Sequence, residues 1–431
     1  MSPGTSLQVC ESCGTRVSEL EASTTCAECG GLLELEHVAA VAAAELRALF
    51  AERRRAMRGP EASGVWRYRE LVLPSVSLDT IVSHPEGNTP LLESRAVSKW
   101  AGFDRTDRLL IKHEGHNPTG SFKDRGMTVA MTQARRSSAR AVACASTGNT
   151  SASLAAYAAR AELPALVFVP KGKVAGGKLA QTIAYGARTL FVRGGFDECL
   201  TLARAASAEL GIHLLNSVNP FRIEGQKTIV FELLEQLDWN APDWIALPAG
   251  NLGNTSAFGK ALREARDIGL IDRLPRLCAV QAQGAAPFAR SFEDNFAERI
   301  TVEPETVATA IRIGAPASWN RAVRAIRETK GVVTSVSDDE ILEAKAVIDA
   351  AGIGCEPASA ASVAGVAKLR ASGVIGADDQ VCAVLTGHVL KDPDAVTSYH
   401  IETEPRRRHT NPPIEIEARV AEVERILNEM R

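Results

Sequence analysis

The chain predicts an α/β protein with parallel sheets and a small metal-binding unit at its start. Three observations carry this. From about residue 108, short apolar or β-branched runs alternate with helix-like stretches, the pattern of strands joined by crossover helices. Several of those runs end in segments rich in Gly, Ser, Thr and Asn, at the strand carboxyl ends where ligands of such folds sit. Four of the nine cysteines form two Cys-x-x-Cys pairs near the N-terminus, and the other five are scattered in apolar surroundings. That arrangement suggests metal ligands and buried thiols rather than a disulfide framework.

Residues 1–35 come first. Cys10-x2-Cys13, twelve residues, then Cys26-x2-Cys29 is the spacing of a zinc ribbon. Each pair turns two thiolates inward, and Gly14 and Gly30-Gly31 relax the turns. Four sulfurs leave no open position, so the expected zinc is structural. Residues 36–59 are rich in Ala, Leu, Glu and Arg and read as a helix, with Arg53, Arg54, Arg55 and Arg58 as a solvated face. Pro60 and Gly64 mark a linker.

Strands are expected at Leu109–Lys112, Ala141–Ala145, Ala165–Val169, Thr189–Val192, Ile212–Leu215, Trp244–Leu247, Leu277–Gln281 and Val381–Leu385. Helices are expected at Asp124–Ala134, Ser151–Ala161, Phe196–Leu210 and Thr228–Leu237. After Pro412-Pro413, Val420, Val423, Ile426, Leu427 and Met430 fall at helical spacing, an amphipathic helix for packing on the body or on another subunit. The Arg406–Arg408 run before it reads as solvated.

Composition bounds the function. The 431 residues exceed one ordinary core. An apolar share of 45% against 23% charged excludes wholesale disorder. Lys+Arg of 49 against Asp+Glu of 52 leaves −3, no electrostatic case for nucleic acid or an anionic membrane. Aromatics at 5% argue against a base-stacking surface. No apolar run reaches the roughly 18–20 residues of a membrane helix, and Met1-Ser2-Pro3-Gly4 opens no signal peptide, so a cytoplasmic protein is expected.

Five segments carry chemistry. In His116–Gly126 (HNPTGSFKDRG), Pro118 and Gly120 fix a turn, and Ser121 or Thr119 can cap a helix starting near Lys123. A lysine there feels a field favouring the neutral amine that imine chemistry needs. Ser146-Thr147-Gly148-Asn149-Thr150 offers hydroxyls, an amide and free N–H groups at a helix start, suited to a carboxylate or another anion. In Asn216–Lys227, Arg222 beside Asn216 and Ser217 can form a second anion clamp. Pro248–Thr255 (PAGNLGNT) lets several N–H groups face one phosphate. It lacks the Gly-Lys-Ser/Thr of a Walker loop and the three-glycine dinucleotide spacing. In Leu385–His388, Thr386 stands at a strand's carboxyl end. Taken singly, each also reads as an ordinary cap or turn. Together they give one reactive lysine, a phosphate loop and two further anion sites, which suits pyridoxal phosphate better than nicotinamide or nucleotide cofactors.

At these residues the sequence resembles pyridoxal-phosphate enzymes of the tryptophan-synthase-β fold type and, within them, the threonine synthase family. The resemblance covers roughly residues 64–395 and rests on Gly87–Leu91 (GNTPL), Asn117–Met127, Ser146–Ser153, Asn216–Thr228, Pro248–Phe258, Thr309–Trp319 (TAIRIGAPASW), Cys355–Gly365 (CEPASAASVAG) and Leu385–Pro393 (LTGHVLKDP). It departs from the family pattern at Val389, where Gly is usual, and at Ala315, where Asn is common. The cysteine-bearing N-terminal unit also occurs in some members.

The resemblance implies two doubly wound three-layer α/β/α domains of fold type II behind the zinc ribbon. The large cofactor-binding domain would span 86–130 and 220–400, and a small mobile domain 131–219. A helical linker and arm (36–85) and a C-terminal helix (401–431) complete the chain. Lys123 would hold the cofactor as an imine and act as acid and base. Asn149 would meet the ring's 3-oxygen, and Thr386 its nitrogen. Gly250, Asn251, Leu252, Gly253 and Asn254 would hold its phosphate. Ser146, Thr147, Asn149 and Thr150 would take the substrate carboxylate, and Asn216, Ser217, Arg222 and Asn251 the substrate phosphate. The implied reaction is O-phospho-L-homoserine plus water giving L-threonine and phosphate, in a homodimer with no nucleic-acid or membrane partner. The competing expectation is a paralogue using a phosphorylated amino acid with another nucleophile, such as cysteate synthase. A non-catalytic scaffold with a macromolecule-binding ribbon is disfavoured, because the ribbon lacks a dense basic or aromatic surface.

Overall fold

Strands buried on both faces read as continuous apolar runs, and they organise this molecule. The computed structural model describes residues 5–37, 41–146, 148–171, 176–402 and 409–429. Thirteen strands fall among the described residues, in three sheets. The N-terminal sheet is antiparallel: β1 (Ser6–Cys10) lies between β2 (Arg16–Ser18) and β3 (Leu33–His37). The largest sheet combines β4 (Leu91–Glu93), β5 (Leu109–His113), β10 (Trp244–Pro248), β11 (Arg276–Ala282), β12 (Val332–Val336) and β13 (Val381–Leu385). Its order is β12-β11-β10-β13-β5-β4, parallel except for the β4 edge. The third sheet is wholly parallel, in the order β8-β7-β6-β9. It is built from β6 (Ala141–Ala145), β7 (Ala165–Pro170), β8 (Arg188–Val192) and β9 (Ile212–Leu214). The expected α/β class is thus found, and each of the eight expected strands is present within a residue or two of its expected ends.

Helices of eight or more residues are α1 (Ala43–Arg53), α2 (Lys123–Arg136), α3 (Asn149–Ala161), α4 (Gly176–Ala184), α5 (Phe196–Leu210), α6 (Pro220–Gln236), α7 (Gly253–Ile268), α8 (Trp319–Glu328), α9 (Asp338–Ala350), α10 (Pro357–Ala371) and α11 (Val420–Glu429). Two matter most for the site. α6 begins at Pro220, not at Thr228 as expected: Asn219 caps it by accepting from Phe221 N at 3.0 Å, and Pro occupies the first turn, where no N–H is missed. α6 crosses α2 with backbones in contact, since a β-carbon on Gly225 would stand 1.8 Å from Arg125 O. That crossing brings the start of α6 beside the start of α2.

Other expectations need correction. The helix read over 36–59 is only α1, residues 38–40 lying outside the described residues. Arg53 does not belong to a solvated face. It is buried and bonds bidentately to Glu70, because α1 packs on the Trp66–Val72 segment. Arg54, Arg55 and Arg58 are exposed. The C-terminal helix forms as α11, but Val420, Val423 and Leu427 are exposed and none of its described residues is buried on the body. Met430 and Arg406–Arg408 lie outside the described residues. The five scattered cysteines, Cys144, Cys199, Cys278, Cys355 and Cys382, are buried free thiols. Among the described residues no helix is long and apolar enough to cross a membrane.

Candidate active site

The site is assembled at the carboxyl ends of β5, β6, β10 and β13. After β5 the chain turns through Asn117–Phe122, with Gly120 at φ 83° and Gly120 N donating to Asn117 O at 2.8 Å. Phe122 N donates to Thr386 O at 3.0 Å and His388 N to Gly120 O at 2.9 Å. The loop carrying Lys123 is thereby paired to the loop carrying Thr386. Neither Ser121 nor Thr119 caps α2 as expected. Thr119 instead donates to Asp124, from Oγ1 at 2.6 Å and from its backbone N at 2.7 Å. Ser153 on α3 also donates to Asp124, at 2.6 Å, so this carboxylate ties the helix of Lys123 to the helix of Asn149. Burial pushes the Asp124 carboxyl up to about 6 against those hydrogen bonds.

Lys123 Nζ stands 4.1 Å from the centroid of the Phe122 ring. Its pKa falls to about 7, first because burial penalises the ammonium and then because the Arg222 guanidinium is near, with Glu356 opposing both. Burial, rather than the helix terminus alone, therefore prepares the neutral amine. Asn149 opens α3, and its Nδ2 donates to both Glu356 oxygens at 3.1 Å. Ser146 Oγ accepts from Gly148 N at 3.2 Å, and Thr150 is half-buried. Thr147 lies outside the described residues. Thr386 Oγ1 is 3.0 Å from Ser359 Oγ, which also accepts from Thr386 N and Gly387 N at 2.9 Å.

The two anion segments face each other. Leu252, at the start of α7, has φ 63°, a left-handed conformation that a branched residue rarely adopts. Gly250 is roofed by the TAIRIG segment: a β-carbon there would stand 2.9 Å from Ile311 Cα. Asn251 accepts from Ala317 N at 2.7 Å and donates through Nδ2 to Ser217 Oγ. Arg222 is fully buried in the first turn of α6, with Nη1 donating to Leu215 O at 3.2 Å. Its pKa is lowered by burial to about 10, so it stays charged at neutral pH. Asn216 is spent on the scaffold: Oδ1 accepts from Ala145 N at 3.1 Å and Nδ2 donates to Ala145 O at 3.2 Å. Of the two departures from the family pattern, Ala315 is exposed, and Val389 packs on Gly354.

A test of fit lies in the unpartnered atoms. Among the described residues, Ser121 Oγ, Asn149 Oδ1, Arg222 Nε and Nη2, Gln226 Oε1, Asn254 Oδ1 and Thr255 Oγ1 are buried without a hydrogen-bond partner. A buried polar group left unpaired costs about 1–3 kcal/mol. These groups belong to the segments read as a cofactor and anion site, and the donors among them match phosphate and phenolate oxygens. The residues fit pyridoxal phosphate. Sequence reasoning gave no role to Asp124, Glu356, Ser359 or Gln226, although Glu356 and Ser359 lie inside CEPASAASVAG.

The four N-terminal thiols converge: the ligand atoms of Cys10, Cys13, Cys26 and Cys29 all lie within 4.8 Å of one another. Two matching turns bring them there, with Cys10 N donating to Thr15 O at 2.9 Å and Cys26 N to Gly31 O at 2.8 Å. The Cys10–Cys29 and Cys13–Cys26 sulfur separations are 3.4 and 3.7 Å. A zinc tetrahedron with Zn–S of about 2.3 Å has edges of about 3.8 Å.

Residues 82–387 match the family model described as pyridoxal-phosphate dependent enzyme. A threonine synthase of Methanocaldococcus jannaschii is 45% identical over 426 residues, spanning 98% of this chain and 100% of its own. One from Methanosarcina acetivorans is 46% identical over 390 residues, 90% of this chain and 92% of its own. The solved threonine synthase of Escherichia coli aligns with a TM-score of 0.72 over 99% of this chain and 100% of that one. At 18% identity, that alignment speaks to the fold.

Proposed function

The chain belongs to the pyridoxal-phosphate-dependent enzyme family, and on that footing we propose that it converts O-phospho-L-homoserine and water to L-threonine and phosphate. The observation that carries the phosphorylated substrate is Arg222: a fully buried guanidinium with two nitrogens unpaired among the described residues. Such a group is costly unless an anion meets it. The relatives named above share the activity over nearly the whole length of this chain.

When bound, pyridoxal phosphate supplies the electron sink that lets protons leave the substrate carbons and phosphate leave Cγ. This chain's residues do the rest. Lys123 Nζ would anchor the cofactor; with a pKa near 7 it takes up or gives up a proton at little cost. The start of α7, from Gly250 to Asn254, would hold the cofactor phosphate with backbone N–H groups. Thr386 would meet the ring nitrogen with a neutral hydroxyl, so that nitrogen gains no formal charge from the protein. Asn149 would meet the 3-oxygen, and Ser146 to Thr150 would orient the substrate carboxylate. Arg222, with Ser217 and Asn251, would bind the substrate phosphate and keep it close after release, where it can serve as base for water addition. Asn216 would support that clamp by bracing the end of β6.

The four thiols would bind a structural zinc, closed to substrate. The sheet spanning β6 to β9 would move as a small domain against the larger sheet, in a homodimeric enzyme.

The deciding experiment compares phosphate release from O-phospho-L-homoserine with release from O-phosphoserine plus sulfite, with the amino-acid products identified. The reading expects threonine from the first and negligible turnover of the second; cysteate as the main product would replace it. Lys123→Ala should abolish turnover while circular dichroism stays unchanged, and comparable activity in that variant would remove the central assignment.

A further inference from the structure

We infer that Gln226 is a ligand of the cofactor's phosphate, closing the phosphate cradle from the α6 side. This rests on the reading of residues 250–254 as that cradle, and nothing in the motif reading assigns Gln226 a role. Gln226 lies one helical turn beyond Arg222, so both side chains leave the same face of α6. It is 2% exposed, and its Oε1 has no partner among the described residues. Two glycines locate it. A β-carbon on Gly253, the first residue of α7, would stand 3.5 Å from Gln226 Oε1, and one on Gly126 would stand 3.1 Å from Gln226 Nε2. The amide therefore spans from the helix of Lys123 to the helix start that faces the phosphate.

The chemistry selects the ligand. A leucine or methionine would fill this volume without an unpaired amide, so the amide serves a group the chain does not itself supply. It reaches Gly253, the first residue of α7, and a helix start of that kind attracts an anion. An ionised phosphate takes donors only. Half a turn of the terminal torsion exchanges Oε1 for Nε2 and aims an N–H at the cradle. Arg222 serves the substrate's phosphate and Gln226, one turn on, the cofactor's. One face of one helix thus places the two phosphates side by side.

The test uses the apo-protein carrying Gln226→Ala, Gln226→Glu or Gly253→Asp. Each is titrated with pyridoxal phosphate and with pyridoxal, which lacks the phosphate, and its melting temperature is recorded before loading. Loss of a hydrogen bond to a charged group should weaken pyridoxal phosphate about 10-fold in Gln226→Ala. Gln226→Glu should weaken it further by repulsion, with pyridoxal binding unchanged and no loss of melting temperature in either. The 31P resonance of the bound cofactor should move in Gln226→Ala. Gly253→Asp should erase the preference for the phosphorylated form. If it does so while both Gln226 variants bind as wild type, the cradle stands and the role of Gln226 is refuted. If Gly253→Asp retains the preference, cradle and inference fall together. Equal losses for both ligands, or a raised KM for the phosphorylated substrate with unchanged cofactor affinity, would also overturn it.

Discussion

Arg222 perturbs Lys123, and the sign of that effect can be measured. Burial weighs on both cations, and the Arg222 guanidinium makes the Lys123 ammonium more costly, adding to the larger effect of burial. Condensation of free pyridoxal with the apo-protein should speed up with pH and reach half its plateau near the Lys123 pKa of about 7. Arg222→Leu should move that midpoint upward, because a neighbouring positive charge is gone. The same shift bears on stability. The folded pKa lies below the unfolded value of about 10.4, so burying Lys123 costs stability below pH 7, and the cost fades as pH rises toward that unfolded value. Lys123→Met should therefore raise the melting temperature of the apo-protein at pH 6 and leave it nearly unchanged at pH above about 10. Arg222→Ala has a catalytic signature: with the released phosphate no longer held, carbon should leak from threonine to 2-oxobutanoate. A product ratio equal to wild type would count against the clamp. The lysine was legible from its loop, but its main perturbation was not, because desolvation depends on what packs over the amine.

At the scale of elements, α6 joins two parts of the molecule. Arg222 and Gln226 share one face of it, the one proposed to meet the phosphates, while Glu224 meets the N-terminal ribbon. His37 at the end of β3 lies 2.7 Å from Glu224 Oε2, and Lys260 of α7 bonds both Glu224 Oε1 and Leu35 O. Arg321 of α8 donates to Leu33 O at 2.6 Å and to Glu11. The ribbon is thus docked on α6, α7 and α8, the first two of which open at the proposed anion sites, and the order of its thiols should be felt in the stability of the whole chain. Removing the proposed zinc with a chelator should lower the melting temperature. Cys10→Ser should do the same without added chelator. His37→Ala should cost about 1–3 kcal/mol of unfolding free energy, the range for a buried hydrogen-bond partner withdrawn. Calorimetry with and without chelator reads all three. The ribbon's cysteines were legible from spacing alone. Its docking was not, since nothing in the sequence pairs Lys260 and Glu224 with Leu35 and His37.

Over the whole molecule, what was legible follows from where the apolar residues go. Most strands of the two larger sheets are buried on both faces and stand out as apolar runs, while the largely exposed β8 is marked by its β-branched and aromatic residues. β12 is only half-buried and mixes Thr and Ser into its run, and β4 has three residues, so neither was read. α10 was missed as a helix because PASAASVAGVAKLRA is buried nearly all round, and no apolar stripe marks it. The charge cluster between α2, α6 and β5 was invisible for a different reason. Arg125 Nη2 meets Glu232 at 2.7 Å and Lys112 Nζ meets it at 2.6 Å, across 107 and 120 positions of chain. That cluster makes stability depend on pH. Burial alone would raise the carboxyls of Glu232, Glu224 and Glu114, but buried cations overcome it: Arg125 for Glu232 and Glu114, Lys227 and Lys260 for Glu224. All three are held below the usual carboxylate range, and Glu34, beside Lys260 and Arg324, is lowered to about 2. Their contribution is complete above the unfolded value of about 4.3 and is lost as pH falls through the folded values. Asp124, raised to about 6, and Glu11, raised by burial, have the opposite sign but are two groups against four. The urea midpoint should therefore hold near neutrality and drop steeply below about pH 4.3. Glu232→Gln should lower stability at pH 7 by about 3–5 kcal/mol, because Arg125 and Lys112 lose a buried partner, and it should also flatten the acid slope. If that variant loses stability at pH 7 yet keeps the full slope, the acid sensitivity arises elsewhere in the molecule.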